Sequence, residues 1–194
     1  DIDEAWLRSA RHLHATGVFA AISDTSLPTA RKTMQVMRDA GRTISFDPNL
    51  RPTLWASTDI MRKNINELAA LADWVLPGLE EGALLTGESS PEGIACFYRQ
   101  RGARLVVVKL GAAGAYYDSD TEGTGDVEGF SVREVIDTVG AGDGFAAGVV
   151  CALLEGKDVV AAVRRGAWIG ARAVQVLGDT EGLPTRSQLE EAGL

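Results

Sequence analysis

Residues 137–148 read Asp-Thr-Val-Gly-Ala-Gly-Asp-Gly-Phe-Ala-Ala-Gly. Branched apolar residues just before this stretch predict a strand, and the apolar residues after Ala141 predict a helix. Gly140, Ala141 and Gly142 lie at the junction, where their small side chains leave the backbone N–H groups unobstructed at the positive end of the helix dipole. The pattern predicts an anion hole, whose natural occupant is a phosphate that shifts its charge during transfer.

Asp143 lies in the first turn of this predicted helix. In that position its carboxylate can face the bound anion and accept a proton from an attacking hydroxyl group. An acidic residue in a first helical turn also favours the helix dipole without any chemistry. The spacing alone leaves both interpretations open.

Along the rest of the chain, short β-rich segments alternate with segments of helical period, which is typical of an α/β fold with a mostly parallel sheet. We expect one domain over residues 1–194. The predicted strands are 17–22, 42–47, 73–76, 104–109, 114–117 and 133–136, the fifth of them antiparallel because only a tight Gly-Ala-Ala-Gly turn separates it from the fourth. The predicted helices are 2–15, 28–40, 58–71, 80–85, 91–101, 141–155, 159–177 and 186–192, and residues 123–129 are predicted to form a mobile loop.

Polar or glycine-rich motifs follow four of the predicted strands, at residues 47–51, 77–81, 109–114 and 137–143. Ligands of open α/β sheets bind in the crevice beyond the carboxyl ends of the strands. We therefore expect the four motifs to meet at one site.

Composition narrows the function classes. The net charge of −8 is spread over 194 residues, which disfavours nucleic acid and anionic membranes as partners. The longest apolar run, residues 146–154, is far shorter than the roughly 20 residues that cross a bilayer, and without a recognisable leader the chain is expected to be cytoplasmic. Cys96 and Cys151 are predicted to be buried thiols, and His12 and His14 to be a solvated pair at a helix end rather than zinc ligands.

Residues 137–148 resemble the second signature of the ribokinase-like (PfkB) carbohydrate kinases. Residues 47–55, 76–82 and 85–87 resemble the 2-keto-3-deoxygluconate kinase branch of that family. The resemblance covers nearly the whole chain and implies a ribokinase-like three-layer α/β/α sandwich. The family's N-terminal strands, its Gly-Gly signature and its β-sheet lid have no counterpart here, so the chain is expected to be a fragment of a kinase.

The resemblance assigns roles to individual residues. Asp143 matches the family's catalytic base, and Gly140, Ala141 and Gly142 match its anion hole. The nucleotide-binding turn corresponds to Lys109, Leu110, Gly111, Ala112, Ala113, Gly114 and Ala115. Taken by itself, that turn is better described as a plain hairpin.

Three further assignments concern the acceptor and the metal. Arg51 matches a substrate-binding arginine, with Asn49 beside it, and a guanidinium fork suits the carboxylate of a keto acid. Asp179 aligns with a position that touches substrate in the keto-acid branch. Glu81 matches the glutamate that orders magnesium through water, although Gly78 stands where the family has Asn. A surface ion pair for Arg51 and a solvated carboxylate for Asp179 remain open.

The resemblance implies ATP-dependent phosphorylation of 2-keto-3-deoxygluconate to its 6-phosphate. ATP and Mg²⁺ are the implied cofactors, with a monovalent cation left open, and ATP and a sugar acid are the expected partners, with a homo-oligomer left open. A fructokinase or ribokinase type of kinase is the alternative within the family. A non-catalytic nucleotide-binding fragment is the alternative outside the enzyme class.

Overall fold

The computed structural model describes residues 2–194. Over this range six strands form one sheet in which they follow one another in chain order. The strands are β1 (His12–Thr16), β2 (Thr43–Asp47), β3 (Trp74–Val75), β4 (Leu105–Lys109), β5 (Gly114–Ser119) and β6 (Gly123–Glu128). The α-helices of the same range are α1 (Glu4–Ser9), α2 (Gly17–Ala21), α3 (Ser26–Asp39), α4 (Thr58–Ala69), α5 (Leu79–Thr86), α6 (Pro91–Arg99), α7 (Ala141–Leu154), α8 (Val159–Ala173) and α9 (Arg186–Glu191). Every helix within residues 2–194 falls short of the length and apolar character that a bilayer crossing needs.

The described residues form two compact units, one of residues 2–109 with 118–123 and the other of residues 110–117 with 124–194. A single domain over the whole chain therefore stays a prediction. The α/β alternation that the sequence predicts is present in the first unit, where strands and helices follow one another in turn.

The first unit is built on parallel strands. β1 pairs with β2, β2 with β3, and β3 with β4, all in parallel register. The first four residues of β4 are buried, as expected for a strand covered on both faces. Helix α3 packs on β1 and β2, and helix α6 packs on β4. The parallel register carries the ends of β2, β3 and β4 to the same edge of the sheet.

The chain reverses direction after β4. The backbone N–H of Leu110 donates to the carbonyl oxygen of Gly114 at 2.8 Å, and the N–H of Asp120 donates to the carbonyl of Arg104 at 2.9 Å. Residues later in the chain thus pair with residues earlier in it, in reverse order. The predicted antiparallel direction of the fifth strand is confirmed.

Helices α7 and α8 pack closely in the second unit. A Cβ atom on Gly148 would lie 2.8 Å from Gly166 Cα, and one on Gly166 would lie 2.8 Å from Phe145 O. Small residues at the crossing therefore let the two helix backbones approach each other. Phe145, on the same turn of α7, is buried.

Three segments depart from the sequence-based prediction. Residues 2–15 and 17–22 were expected to be a helix and a strand, but α1 ends at Ser9 and the strand is His12–Thr16. Residues 123–129 were expected to be a loop, but they contain β6, and a Cβ atom on Gly125 would lie 2.8 Å from the Tyr117 hydroxyl on β5. Residues 133–136 are not a strand, and the N–H of Ile136 instead donates to the carbonyl of Val174, just after α8, at 2.8 Å.

The predicted burial of both cysteines and the predicted helix-end position of both histidines were wrong, although His14 is exposed as expected. Cys96 and Cys151 are exposed. His12 and His14 lie on β1, where hydroxyl groups of β2 bind them. His12 Nδ1 is 2.8 Å from Thr43 Oγ1, His12 Nε2 is 2.8 Å from Ser45 Oγ, and His14 Nδ1 is 2.8 Å from the same Ser45 atom.

His12 is stacked on Trp74, with 4.9 Å between the ring centroids. Burial, followed by the proximity of His14, lowers the pKa of His12 from 6.5 to about 4. The imidazole is therefore neutral in the folded protein at neutral pH, and protonating it would cost the folded state more than the unfolded state.

We expect the free energy of unfolding to fall as the pH is lowered from about 6.5 to about 4, because the unfolded chain gains a proton on His12 that the folded chain resists. Urea unfolding at several pH values measures the slope. The His12→Gln variant, which cannot titrate at this position, should show a shallower slope over the same interval. Equal slopes in the two proteins would contradict the assignment.

Candidate active site

The N-terminus of α7 has the backbone geometry that the sequence predicts for an anion hole. Gly140 is the N-cap residue, with a φ of +75°, and no side chain caps the helix. The N–H of Gly144 donates to the carbonyl of Gly140 at 2.8 Å, which opens the i→i−4 series of the helix. The N–H of Ala141 makes a long hydrogen bond of 3.4 Å to the carbonyl of Thr138, and the helix itself supplies no acceptor to the N–H groups that precede Gly144. The role of these groups as an anion hole stays a prediction.

Two neighbouring contacts hold this junction in place. The Asp137 carboxylate accepts a hydrogen bond from the N–H of Val139 at 3.0 Å and a longer one from the N–H of Gly178 at 3.4 Å. A Cβ atom on Gly140 would lie only 2.4 Å from the carbonyl oxygen of Asp179. Asp179, which the family resemblance assigns to substrate, therefore lies with its backbone against the N-cap of α7. Its carboxylate role stays a prediction.

Asp143 lies in the first turn of α7 and is exposed. The next residue, Gly144, is buried against Ile169 and Leu183. The helix thus turns its apolar side inward immediately after Asp143. The carboxylate is accessible at the end of the helix where an anion is favoured, as its proposed role requires.

The predicted nucleotide turn is a short chain reversal made mostly of glycine and alanine, so its backbone carries little side-chain bulk. Residues 111–113 form a single 3₁₀ turn and are exposed. Gly114, with a φ of +104°, lies so close to β6 that a Cβ atom would be 2.0 Å from the Val127 carbonyl oxygen. A residue with a side chain would displace this strand contact, so glycine is required here for packing.

A buried ion pair lies at the carboxyl ends of β2 and β4. Lys109 Nζ is 2.6 Å from Asp47 Oδ2, and the Asp47 side chain is only 1% exposed. Burial raises the pKa of Asp47, whereas the Lys109 ammonium and its hydrogen bond act in the opposite direction. Sequence reasoning assigned Lys109 to the nucleotide turn and missed the part played by Asp47. A carboxylate at the end of a predicted inner strand was the available signal.

Glu81 joins two of the loops at this edge. Its Oε1 atom accepts a hydrogen bond from the N–H of Leu50 at 2.7 Å, and its Oε2 atom accepts one from the N–H of Gly78 at 2.9 Å. Both carboxylate oxygens therefore serve backbone amides of this chain. Within residues 2–194 no group of three or more His, Cys, Asp or Glu residues could hold a metal ion. The water-mediated role of Glu81 toward magnesium stays a prediction.

Arg51 is exposed, and one edge of its guanidinium is anchored. Its Nη1 atom donates to Asn49 Oδ1 at 2.7 Å and to the carbonyl of Leu50 at 2.9 Å. No ion pair within residues 2–194 involves Arg51. The binding of a carboxylate by Arg51 stays a prediction.

The first unit thus brings together three of the sequence motifs: the loop after β2, the start of α5 and Lys109 at the end of β4. The second unit brings residues 137–140 beside residues 178–179. Convergence of these two groups on one ligand stays a prediction.

Gly140→Ala should lower the free energy of unfolding more than Gly156→Ala. Both glycines lie at an end of α7 with similar φ values, +75° and +82°, so each alanine costs roughly 1–2 kcal/mol of left-handed strain. Only Gly140 also faces the Asp179 backbone, whereas a Cβ atom on Gly156 meets nothing within 4 Å. The overlap of the alanine methyl group with the Asp179 carbonyl should lower the free energy of unfolding of Gly140→Ala by about 1–3 kcal/mol more, as measured by chemical denaturation. Equal losses in the two variants would show that Asp179 does not pack on Gly140.

Comparisons with known proteins agree with this architecture. A family model described as pfkB family carbohydrate kinase matches residues 1–186. The chain is 51% identical over 184 residues to the 2-dehydro-3-deoxygluconokinase of Bacillus subtilis (strain 168), which covers 95% of this chain and 56% of that protein. The chain thus spans just over half the length of this curated relative.

Solved structures show the same fold. The PfkB protein from Polaromonas sp. JS666 shares 67% identity with a TM-score of 0.88, over 97% of this chain and 60% of that one. A putative Ribokinase II from E. coli, in complex with ATP and Mg²⁺, shares 31% identity with a TM-score of 0.87, over 98% of this chain and 60% of that one. The ribokinase-like α/β fold class that the sequence predicts is confirmed, and the chain belongs to the pfkB family of carbohydrate kinases.

Proposed function

We propose that the complete protein transfers the γ-phosphoryl group of ATP to the 6-hydroxyl group of 2-keto-3-deoxygluconate, which is also called 2-dehydro-3-deoxygluconate. The start of α7 is the observation that carries the reaction type, because it places a glycine N-cap, which has no side chain to cap the helix, and Asp143 at the same helix end. The 51% identity to a 2-dehydro-3-deoxygluconokinase supports the choice of substrate.

In this reaction Asp143 acts as the general base. Its carboxylate accepts the proton of the acceptor hydroxyl while that oxygen forms a bond to the γ-phosphorus and the bond to the ADP oxygen breaks. The backbone N–H groups of residues 140–142 are fixed before the reaction, so they can stabilise the phosphoryl oxygens without reorganising. The turn at residues 109–115 is proposed to lie against the nucleotide.

The acidic residues of the described chain form no metal cage of their own. This arrangement fits Mg²⁺, which usually binds through substrate phosphates and water with only one or two carboxylates. The E. coli relative contains ATP and Mg²⁺ together, and Glu81 is the residue of this chain proposed to meet the ion through water. When bound, Mg²⁺ neutralises charge between the β- and γ-phosphates.

Arg51 is proposed to bind the carboxylate of the sugar acid, with Asn49 holding the guanidinium in place. Asp179 is proposed to contact the same substrate from the segment that packs on Gly140. A fructose or ribose acceptor has no carboxylate, so Arg51 distinguishes the proposed sugar-acid substrate from the substrates of the alternative kinases of this family.

With ATP as donor, we infer that the protein works in the cytoplasm. A monovalent cation and a homo-oligomer remain part of the proposal from family resemblance.

Asp143→Asn in the complete protein should lower kcat by about 10²–10⁴, because the amide cannot accept the hydroxyl proton. The ATP dissociation constant should change little, since the backbone donors remain. Asp158→Asn is a matched control, as it makes the same change at the start of α8, where Asn caps a helix as well as Asp does. A kcat above half the wild-type value in Asp143→Asn would remove this residue from the mechanism.

Arg51→Lys should raise KM for 2-keto-3-deoxygluconate far more than KM for ATP, because an ammonium group cannot reproduce the two parallel hydrogen bonds of a guanidinium. Arg62→Lys, on the exposed surface of α4 beside Asp59, serves as the control and should leave both constants unchanged. Steady-state kinetics with each substrate varied in turn gives both values. Wild-type preference for a neutral hexose, or an unchanged sugar-acid KM in Arg51→Lys, would count against the proposed substrate.

A further inference from the structure

The ion pair of Lys109 and Asp47 joins two strands that are not neighbours. β3 lies between β2 and β4 in the sheet, so their backbones are about 10 Å apart at the usual strand spacing. Lys109 Nζ nevertheless lies 2.6 Å from Asp47 Oδ2. The lysine side chain therefore crosses the end of β3 and reaches the last residue of β2.

Asp47 passes this contact on to the loop that carries Arg51. Its Oδ1 atom accepts a hydrogen bond from the N–H of Asn49 at 3.1 Å. Asn49 has a φ of +36°, and it is the one non-glycine residue with positive φ among residues 2–194. Its side-chain oxygen accepts the hydrogen bond from Arg51 Nη1. Four residues are thus linked in series, from the Lys109 side chain through the Asp47 carboxylate and the backbone and side chain of Asn49 to the guanidinium of Arg51.

Burial makes the first link of this series important to the others. The Asp47 carboxylate is cut off from water, and Lys109 is the cation whose charge lowers its pKa against the effect of burial. Without that ammonium, the carboxyl group would take up a proton more readily and would lose its charge-assisted bond to the Asn49 amide. Asn49 would then lose the hydrogen bond that stabilises its positive φ, a conformation that is unfavourable for an L amino acid.

We propose that Lys109 is a positioning residue for the acceptor: through Asp47 and Asn49 it fixes the loop that presents Arg51 to the carboxylate of the sugar acid. This inference rests on the proposed function. Lys109 then has two separate roles. Its backbone begins the turn proposed to lie against the nucleotide, whereas its side chain acts on the loop after β2. Glu81 holds the same loop independently, by accepting the Leu50 N–H at 2.7 Å, so loss of Lys109 loosens the loop without removing its second anchor.

The test compares Lys109→Met with Lys109→Arg in the complete protein. Lys109→Met should raise KM for 2-keto-3-deoxygluconate by about tenfold or more, while KM for ATP stays within about twofold. Lys109→Arg keeps a cation beside Asp47 and should restore most of the sugar-acid affinity. In the double variant Lys109→Met, Arg51→Lys, the two effects on sugar-acid KM should be less than additive, because both act through one guanidinium.

Other outcomes would overturn the proposal. A higher KM for ATP with an unchanged sugar-acid KM would mean that the lysine serves the nucleotide. A lower melting temperature with both constants unchanged would mean that the ion pair only stabilises the fold. If Lys109→Met fails to fold, Asp47→Asn breaks the same link with a side chain of the same shape, and it should raise the same KM.

Hydrogen exchange of the ligand-free protein gives a readout that does not depend on the reaction. Peptides that cover residues 47–55 should exchange faster in Lys109→Met than in wild type or in Lys109→Arg. Unchanged exchange would overturn the proposal. If the wild-type protein does not phosphorylate a sugar acid, the proposed function fails, and the exchange result still decides whether Lys109 holds the loop.

Discussion

The ion pair between Asp47 and Lys109 is the interaction on which the first half of the site depends. A buried carboxylate is tolerated only when its charge is compensated and its oxygens are hydrogen-bonded, and Asp47 meets both conditions, through Lys109 and through the Asn49 amide. These bonds exist because parallel register brings the ends of β2 and β4 to one edge. The loop after β2 is therefore shaped by a strand two positions away in the sheet.

Elements with local end signals were predictable from the sequence. Ser90 before Pro91 starts α6, and Thr185 with Gln188 caps α9, and the structure has both caps. The segment around residues 12–22 could not be predicted in this way, because its strand depends on hydroxyl groups of β2 that bind His12 and His14. Hydrogen bonds between segments about 30 residues apart leave no periodicity in either one.

The candidate site divides along the same line. Gly140 and Asp143 were predictable because a strand end, small residues and a first-turn carboxylate make a local pattern with a chemical meaning. The contacts of Asp47 and Asp137 were not predictable from the sequence, because each carboxylate accepts a hydrogen bond from a backbone amide, and an amide has no residue-specific signal. The family resemblance identifies Glu81 but not its hydrogen-bond partners. In this structure its two carboxylate oxygens accept hydrogen bonds from the amides of Leu50 and Gly78.

Net charge sets a final constraint on the proposed chemistry. A protein with a formal charge of −8 repels ATP and a sugar acid at long range, although salt screens that repulsion beyond about 8 Å at physiological ionic strength. In the proposed reaction, affinity for the two anions therefore has to come from short-range donors, and the amides at the start of α7 and the guanidinium of Arg51 are the ones we propose. Short-range donors help only when they are held in place before the ligand arrives. In this chain acidic side chains do much of that holding, so the carboxylates of Asp47, Asp137 and Glu81 add to the net negative charge while they hold the backbone beside the groups that we propose to bind anions.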